Sequence, residues 1–415
     1  MLSEYSARTL RETLPAVTQA LPVISRRFYD LLFADHPALL RDVFNRSRHA
    51  TGEQPAALAA AIAEFAAHLV RDPSALPEAM LSRIAHRHAS VGVRPEQYSL
   101  VHEYLFRAIV EVLGDAATPE VAAAWDETYW LMAERLGAAE SDARTAAGLP
   151  AGPLSSSWRE WVVVDRVEAT GQVTTFRLVP ADGGPAPVFR PGQYTSLRVS
   201  LPDERWQTRQ YSLTGPPDSD TWTISVKRVQ SAQGPDGEVS HHLHLNVPVG
   251  ARVELSPPFG DFVLPALPGP LLLVSAGIGV TPVLALLRQL AGSDHQDPVT
   301  VVHADRSPRT HVGRDEHQAL VDALPSGTAH FWYTEPQHGH HVERLGRPDL
   351  DSLPVPCRTH VYVSGPPSFV TDVRTRLQDR GTPPEDIHYE VFGADTQPYP
   401  AGGHAGCPWS DTAVG

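Results

Sequence analysis

Cysteine, methionine and lysine are all scarce in this chain of 415 residues, which has two cysteines, three methionines and a single lysine, Lys227. With only Cys357 and Cys407, both a disulfide framework and a cysteine-based metal cluster are excluded. Because nearly every cation is arginine, the choice of arginine at a given position says little about function. We expect a cytoplasmic protein.

Long apolar runs are also missing, since no stretch reaches the roughly eighteen residues of a membrane span. The first residues, MLSEYSARTLRETLP, carry charges throughout and lack the apolar core of a signal peptide. Positive charge is in deficit, with 34 Lys and Arg against 48 Asp and Glu and a formal net charge of -14. No overall field attracts nucleic acid or anionic lipid, so we expect neither a nucleic-acid partner nor stable membrane association.

The length corresponds to about three domains at roughly 150 residues each. Apolar residues make up 42% of the chain and charged residues 20%, which is enough to build several cores and argues against disorder. The sequence pattern changes character along the chain. We divide it into a domain at 1–146, a linker at 147–157, a domain at 158–266, a domain at 267–393 and a disordered tail at 394–415.

Apolar stripes with helical spacing fill the first segment and predict an all-α domain. Pro95, followed by Glu96 and Gln97, suits the start of the third helix of this series. The stripes are Val17, Leu21, Ile24, Phe28 and Leu31; Leu58, Ile62, Phe65 and Leu69; Val101, Leu105, Ile109 and Val112; and Trp125, Tyr129, Met132 and Leu136.

One of the 20 histidines has an informative position. Leu81, Ile84 and His88 are spaced 3 and 4, which places His88 on the apolar face of its helix, whereas His86 points elsewhere. Alone, such a histidine is more often bonded to a backbone carbonyl than to a metal.

Two further polar residues change that balance. Tyr98 precedes one apolar stripe and Glu140 follows another, so both face the interior of the same bundle as His88. A buried carboxylate is costly unless it is paired, and these three groups would satisfy one another. A carboxylate bonded to a histidine also fixes the tautomer that a metal ligand needs.

From Trp158 the pattern changes to short alternating runs, which predict antiparallel strands and a small β-barrel. Within it, RQYS at 209–212 follows RPGQY at 190–194 and precedes DGEVSHHLH at 236–244. These three motifs, in this order, resemble ferredoxin reductase-like flavoproteins. The resemblance implies that the tyrosine ring covers the flavin, that the serine reaches the flavin N5 region and that the arginine neutralises phosphate.

The third segment begins with LVSAGIGVTP at 273–282, in which a buried strand leads into two glycines and a helix that we expect Pro282 to open. Backbone amides at such a helix start can bind a diphosphate, although an isolated glycine pair is as often a tight turn. Later strands alternate with helical segments, which predicts a parallel sheet in an α/β domain. The motifs YVSGPPSF and HYEVFG, at 388–393, support a nucleotide-binding reductase.

After the strand VTVVHA comes Asp305-Arg306-Ser307. An acidic residue there favours a free ribose hydroxyl, and an Arg-Ser pair favours a phosphate. The sequence leaves the choice between NADH and NADPH open.

The N-terminal segment resembles the globin domain of flavohaemoglobins in the strings FYDLLF, LRDVFN, GEQPAAL, RIAHRHAS and VRPEQY. The resemblance implies that His88 is the proximal haem ligand, with Tyr98 and Glu140 as its partners. It places Tyr29 against bound oxygen as a catalytic residue. It also places Phe44, Gln54 and Leu58 in the distal haem pocket.

Together the motifs resemble the flavohaemoglobin family from near the start to about residue 393. The resemblance implies two redox-tuning residues, Arg87, where the family usually has lysine, and Glu390. It implies FAD contacts at Tyr194, Arg209, Gln210, Tyr211, Ser212, Gly237, Ser240, Val391, Phe392 and Gly393, and NAD(P) contacts at Gly277, Ile278, Gly279, Val280, Thr281, Pro282, Gly365 and Pro366.

The family's activity is nitric oxide dioxygenase, which converts NO and O2 to nitrate at haem b reduced by NADH or NADPH through FAD. We expect a monomer whose partners are the small molecules O2 and NO. Three alternatives stay open: a reductase acting on alkyl hydroperoxides, a globin-gated oxygen or redox sensor, and a haem-free helical domain attached to a flavin reductase.

Overall fold

The structure is a computed structural model, and three folded units follow one another along it. It describes residues 2–37, 39, 53–149, 158–202, 205–230, 236–335, 344–353, 356 and 358–393, with the side chains of 53–56 outside the description. Most of the expected linker and all of the expected tail therefore lie outside the described residues.

The first unit is all-α, as the sequence predicts. Its helices are α1 (Glu4–Asp35), α2 (Glu53–Arg71), α3 (Glu78–Val91), α4 (Glu96–Leu113) and α5 (Pro119–Ala146), with a 3-10 turn at Gly114–Ala116. The expected stripes face the interior, and Leu21, Ile24, Phe28 and Phe65 are almost completely buried. Pro95 precedes α4 as its cap residue. Gly92 ends α3 with φ of 82°, a left-handed conformation that glycine adopts without strain.

The second unit is a six-stranded antiparallel sheet in the order β4-β3-β6-β1-β2-β5. Its elements are β1 (Arg159–Thr170), β2 (Val173–Pro180), β3 (Tyr194–Ser200), β4 (Trp206–Ser212), β5 (Trp222–Lys227), α6 (Glu238–Asn246) and β6 (Arg252–Leu255). A bridge between Leu213 and Ile224 joins the end of β4 to β5 and curves the sheet towards a barrel. Trp161 and Trp222 stack in its core with ring centroids 4.2 Å apart.

The third unit is a parallel sheet in the order β10-β9-β8-β7-β11-β12. Its elements are β7 (Leu271–Ala276), a 3-10 turn (Gly277–Gly279), α7 (Val280–Ala291), β8 (Val299–Asp305), α8 (Arg314–Asp322), β9 (Gly327–Tyr333), β10 (Arg344–Leu345), β11 (His360–Gly365), α9 (Pro367–Asp379), a 3-10 turn (Pro384–Asp386) and β12 (Ile387–Val391). The strand order reverses between β7 and β11, and ligands of such sheets bind beyond the carboxyl ends of the strands at that point.

None of the described helices has both the length and the apolar character that crossing a membrane requires.

Three buried imidazoles pack together behind the carboxyl end of β8. His303 stacks on His311 with ring centroids 3.9 Å apart, and His311 Nε2 lies 3.0 Å from His317 Nδ1. His311 Nδ1 also lies 2.9 Å from the hydroxyl of Tyr333. Burial, and then the repulsion that protonated His303 or His317 and the charged Arg314 would exert, holds the pKa of His311 well below its usual value, and burial does the same to His317. The cluster therefore stays neutral at physiological pH.

This cluster makes stability depend on pH. Below about pH 6.5 the unfolded chain binds protons at these histidines and the folded chain does not. The free energy of unfolding therefore decreases as the pH is lowered, by about 1.4 kcal/mol per pH unit for each such group. We expect the melting temperature to fall from pH 7.5 to 5.5, and to fall less in His317→Leu, which removes one titrating imidazole from an apolar site. Equal pH slopes in the two proteins would contradict this role of the cluster.

Candidate functional site

His88 lies in a three-way polar contact inside the helical unit. Its Nδ1 is 2.8 Å from Oε1 of Glu140 and 3.2 Å from the hydroxyl of Tyr98. The Tyr98 hydroxyl donates to the same carboxylate oxygen at 2.5 Å. Helices α3, α4 and α5 each supply one of the three groups, as the apolar stripes predict.

The tyrosine in this contact is held in its neutral form. Burial, and then the charge of Glu140, raises the pKa of Tyr98 far above its usual value. Its backbone carbonyl accepts a hydrogen bond from the Tyr129 hydroxyl at 2.6 Å, which fixes its position. Glu140 is a buried acceptor for two donors, and this pairing compensates for the cost of burying its charge.

The second nitrogen of His88 is left for another partner. The carboxylate on Nδ1 puts the ring proton there, so Nε2 carries the lone pair, and this nitrogen has no hydrogen bond within the described residues. The side chain is 33% exposed although its helix is packed on both sides. These are the features of a metal-ligating imidazole supported by a carboxylate.

The donor set suits iron held in a macrocycle. No three His, Cys, Asp or Glu side chains in the described part of the chain are grouped so as to hold a metal ion. A single imidazole is a common protein ligand of haem iron, whose remaining in-plane ligands come from the porphyrin. The residues present therefore fit a haem.

Tyr29 and Leu58 pack in one buried cluster formed by α1, α2 and α4. Tyr29 is 5% exposed and its ring lies 4.7 Å from Phe28 and 5.4 Å from Phe33. Ile62 packs against both this cluster and the cluster around α3, so the two adjoin. Two of the four expected distal residues are thus together, whereas Phe44 and the side chain of Gln54 lie outside the described residues.

Helix α3 also joins the helical unit to the other two units. His86 points away from His88, as predicted, and its Nδ1 accepts a hydrogen bond from the backbone N–H of Gly260 at 3.1 Å. Burial lowers the pKa of His86, against an opposing effect of Asp261. His86 is therefore a neutral acceptor at a domain contact.

Ser90, one turn further along α3, is fully buried against the β-barrel. Its hydroxyl oxygen accepts hydrogen bonds from Ser196 Oγ at 3.0 Å and from Gln210 Nε2 at 2.9 Å. The structure thus directs the amide of Gln210, an expected flavin contact, at the helical unit.

The two expected redox-tuning residues meet across domains. The guanidinium of Arg87 lies 3.5 Å from Oε1 of Glu390. Burial raises the pKa of Glu390, an effect that Arg87 opposes and Asp261 reinforces. One end of α3 therefore contacts the strand β12, which leads directly into Phe392.

The expected flavin contacts line one edge of the β-barrel sheet. Arg209, Gln210 and Tyr211 are successive half-buried residues on the outermost strand β4, and Ser212 follows them as a buried residue. Burial raises the pKa of Tyr211, so its ring carries a neutral hydroxyl. A strand edge with several half-buried polar and aromatic side chains suits a flat cofactor lying along it.

Other expected flavin contacts have defined partners. Tyr194 is buried and pairs through its backbone with Phe259. The hydroxyl of Ser240 donates to the carbonyl of Gly237 at 2.9 Å and accepts from the N–H of Val229 at 3.1 Å. A Cβ on Gly237 would lie 2.7 Å from that hydroxyl oxygen and 2.9 Å from the Cβ of Val229, so a larger residue here would require neighbouring atoms to shift.

The nucleotide turn follows β7 at the point where the strand order reverses. Gly277 has φ of 54°, in the left-handed region that favours glycine. A Cβ on Gly279 would lie 2.4 Å from the carbonyl oxygen of Ser364 on β11, so the turn approaches β11 too closely for any side chain. The structure thus places LVSAGIGVTP at the position where a dinucleotide is expected.

The remaining expected nucleotide contacts surround this turn. Helix α7 begins at Val280, so Pro282 is its third residue and does not open it. The hydroxyl of Thr281 donates to the carbonyl of Ile278 at 2.9 Å.

Gly365 ends β11 and its carbonyl accepts the N–H of Phe392 at 2.9 Å, while Pro366 caps α9. This bond brings Val391, Phe392 and Gly393 next to the nucleotide turn.

Sequence reasoning missed the contacts between domains. The guanidinium of Arg83 lies 4.1 Å from the ring centre of Tyr389, which Arg374 of the same α/β domain also contacts at 3.8 Å. Ser82 donates to Asp261 of the barrel domain at 2.5 Å. No sequence signal marks these residues. The single lysine, Lys227, was visible as an oddity of composition, and it too lies at a domain boundary, near Gly277.

Comparison with known proteins matches two parts of the chain to known domain families. The globin family model matches residues 26–136, and the model of the oxidoreductase NAD-binding domain matches residues 273–375. A flavohemoprotein of Deinococcus radiodurans is 38% identical over 405 residues, which covers 95% of this chain and 97% of that protein.

Solved structures of related proteins also match this chain. The flavohemoglobin of Malassezia yamatoensis, determined with bound FAD and heme, matches with a TM-score of 0.82 and 33% identity over 94% of this chain and 100% of that one. The FAD/NAD-binding domain of a nitric oxide dioxygenase from Vibrio cholerae matches with a TM-score of 0.53 and 35% identity, over 57% of this chain and 98% of that one. This chain therefore belongs to the flavohemoprotein family and is an oxidoreductase in which a globin domain precedes a flavin domain and a nucleotide domain.

Proposed function

We propose that the protein is a nitric oxide dioxygenase, which converts NO and O2 to nitrate with electrons from NAD(P)H. The observation that carries the proposal is the contact of His88 with Glu140 and Tyr98. An imidazole bonded to a carboxylate donates more electron density to iron, and this favours oxygen activation over reversible storage. The Vibrio cholerae relative, which is called a nitric oxide dioxygenase, supports the same activity.

The cofactors are haem and FAD, and NAD(P)H is the electron donor. A hydride carries two electrons whereas haem iron takes one at a time, so a bound flavin would supply the chemistry that divides the pair. His88 would hold the iron, and the β4 edge with Tyr211 would hold the flavin.

Each group around His88 has a separate task. Glu140 keeps the proton on Nδ1 and so keeps Nε2 available as a ligand. Tyr98 donates to Glu140, and Tyr129 holds the backbone of Tyr98. We assign Tyr29, in the adjoining buried cluster, the task of donating a hydrogen bond to oxygen.

The geometry also supports a route for electrons within one chain. Helix α3 carries His88 and contacts the barrel through Ser90 and the end of β12 through Arg87. The residue after β12 bonds to the end of β11 at the nucleotide turn. A single helix thus joins the expected iron site to the expected flavin and nucleotide sites, which supports a monomer as the working unit.

The test is NO consumption by the purified holoenzyme with NADPH or NADH and oxygen, with nitrate measured in the same sample. We expect one nitrate per NO. Tyr29→Phe should slow NO consumption by about tenfold or more, since a hydrogen bond made to charge in a dry site is worth roughly 1.5–3 kcal/mol. Tyr5→Phe, at a tyrosine 46% exposed on α1, is the matched control and should leave the rate unchanged.

Failure to form nitrate while the haem is still reduced would contradict the proposal. Consumption of alkyl hydroperoxide at a higher rate than NO would assign the same site to peroxide reduction instead.

A further inference from the structure

A small pocket lies between the β-barrel and the α/β domain. Lys227 and Gln172 line it from the barrel, and Ile278, Asp305, Arg306 and Thr310 line it from the nucleotide domain. The pocket thus extends from the nucleotide turn to the carboxyl end of β8. In parallel sheets of this kind the adenosine ribose of a dinucleotide lies there, beyond the diphosphate.

The acidic residue in this pocket is already engaged. Oδ1 of Asp305 accepts the N–H of Arg306 at 2.6 Å and the hydroxyl of Thr310 at 2.7 Å, and Oδ2 lies 3.6 Å from His303 Nε2. Its side chain is only 7% exposed. Burial alone would raise its pKa, but the nearby imidazole of His303 and the hydrogen bond from Thr310 outweigh burial and lower the pKa of Asp305. This carboxylate stays charged and holds its own loop.

Apart from Asp305, the charged side chains that line the pocket are cations. Arg306 is exposed, and one arm of its guanidinium donates to Gln172 Oε1 at 2.6 Å across the domain boundary. A guanidinium has five N–H donors, so the others can bind phosphate oxygens. Nζ of Lys227 lies 3.9 Å from where a Cβ on Gly277 would be, next to the turn expected to bind the diphosphate.

We propose that Arg306 binds the 2′-phosphate of NADPH and that the protein uses NADPH in preference to NADH. The proposal deepens the proposed function by naming the hydride donor, and it rests on that function only in requiring a dinucleotide. Lys227 faces the diphosphate, which both dinucleotides share, and so does not discriminate between them. Asp305, committed to Thr310 and the loop backbone, does not read the ribose hydroxyls.

The test is calorimetric titration of the holoenzyme with NADP⁺ and with NAD⁺. We expect tighter binding of NADP⁺, and in Arg306→Gln a loss of at least about tenfold for NADP⁺ with NAD⁺ changed by less than about twofold. The ratio of kcat/KM for NADPH and NADH, measured with ferricyanide as acceptor, should fall by the same factor. Neither readout involves NO, so a failure of the nitrate assay leaves this test intact.

Matched variants separate recognition from structure. Gln172→Ala removes the partner of Arg306 and keeps the cation, so the preference for NADP⁺ should remain. Lys227→Gln should weaken both dinucleotides by a similar factor. Tighter binding of NAD⁺ to the wild type would overturn the proposal, as would equal losses for both dinucleotides in Arg306→Gln. Selective loss of NAD⁺ binding in Asp305→Asn would also overturn it, by assigning ribose recognition to the carboxylate.

Discussion

His88→Ala is expected to abolish haem binding and to leave the flavin in place. The imidazole is the one group in the described globin domain whose Nδ1 is fixed by a carboxylate and whose Nε2 is left as a ligand. The Soret band should disappear, the flavin bands near 450 nm should keep their intensity, on the order of one FAD per chain, and NO consumption should fall by about a hundredfold or more. The variant also leaves Glu140 buried with one donor fewer, so its melting temperature should fall.

The matched control is His86→Ala, two residues earlier on the same helix. His86 accepts a hydrogen bond from the Gly260 N–H. Its loss leaves that N–H without this acceptor and should lower the free energy of unfolding by roughly 1–3 kcal/mol. We expect a normal Soret band in this variant and reduced stability. Loss of the Soret band in His86→Ala with retention in His88→Ala would show that the assignment of the two faces of α3 is wrong.

Gly279→Ala is expected to damage use of the nucleotide without affecting either cofactor. The added Cβ would lie 2.4 Å from the carbonyl oxygen of Ser364 and 2.6 Å from its carbon, and backbone atoms cannot move aside as a flexible side chain can. Moving the turn away from β11 to make room for the added Cβ should cost roughly 1–3 kcal/mol of free energy. That cost corresponds to a fall of about fivefold to 150-fold in kcat/KM for the dinucleotide.

Dithionite gives the internal control for this variant, because it reduces the haem without the nucleotide. Haem reduction by dithionite should proceed as in the wild type. Gly137→Ala, where a Cβ has nothing within 4 Å, is the control for replacing glycine with alanine and should leave kcat/KM unchanged. An unaltered kcat/KM in Gly279→Ala would show that the nucleotide does not bind at this turn.

Much of the candidate site could be read from local sequence because periodicity is a local property. The spacing of Leu81, Ile84 and His88 sets which face of a helix each residue occupies, whatever the helix packs against. The same reasoning placed Tyr98 and Glu140 in the interior, where burial requires a carboxylate to find partners. Their contact with His88 confirms that expectation.

The exact start of α7 could not be read in the same way. Proline is accepted anywhere in the first turn, because the N–H that it lacks has no intrahelical partner there. The 3-10 turn at Gly277–Gly279 is followed by the helix at Val280, two residues before Pro282. The proline therefore predicted a helix start nearby and not its first residue.

The sequence by itself determined the order of the three units, the buried faces of their helices and strands, and the histidine that faces inward. The tertiary structure decided what the outward residues of α3 do, because their partners are distant in the chain: Gly260 lies 174 residues from His86, and Glu390 lies 303 residues from Arg87. It also decided the role of Asp305. A carboxylate beside an arginine can serve a ligand or its own loop, and only the positions of Thr310 and the loop backbone show that this one serves the loop.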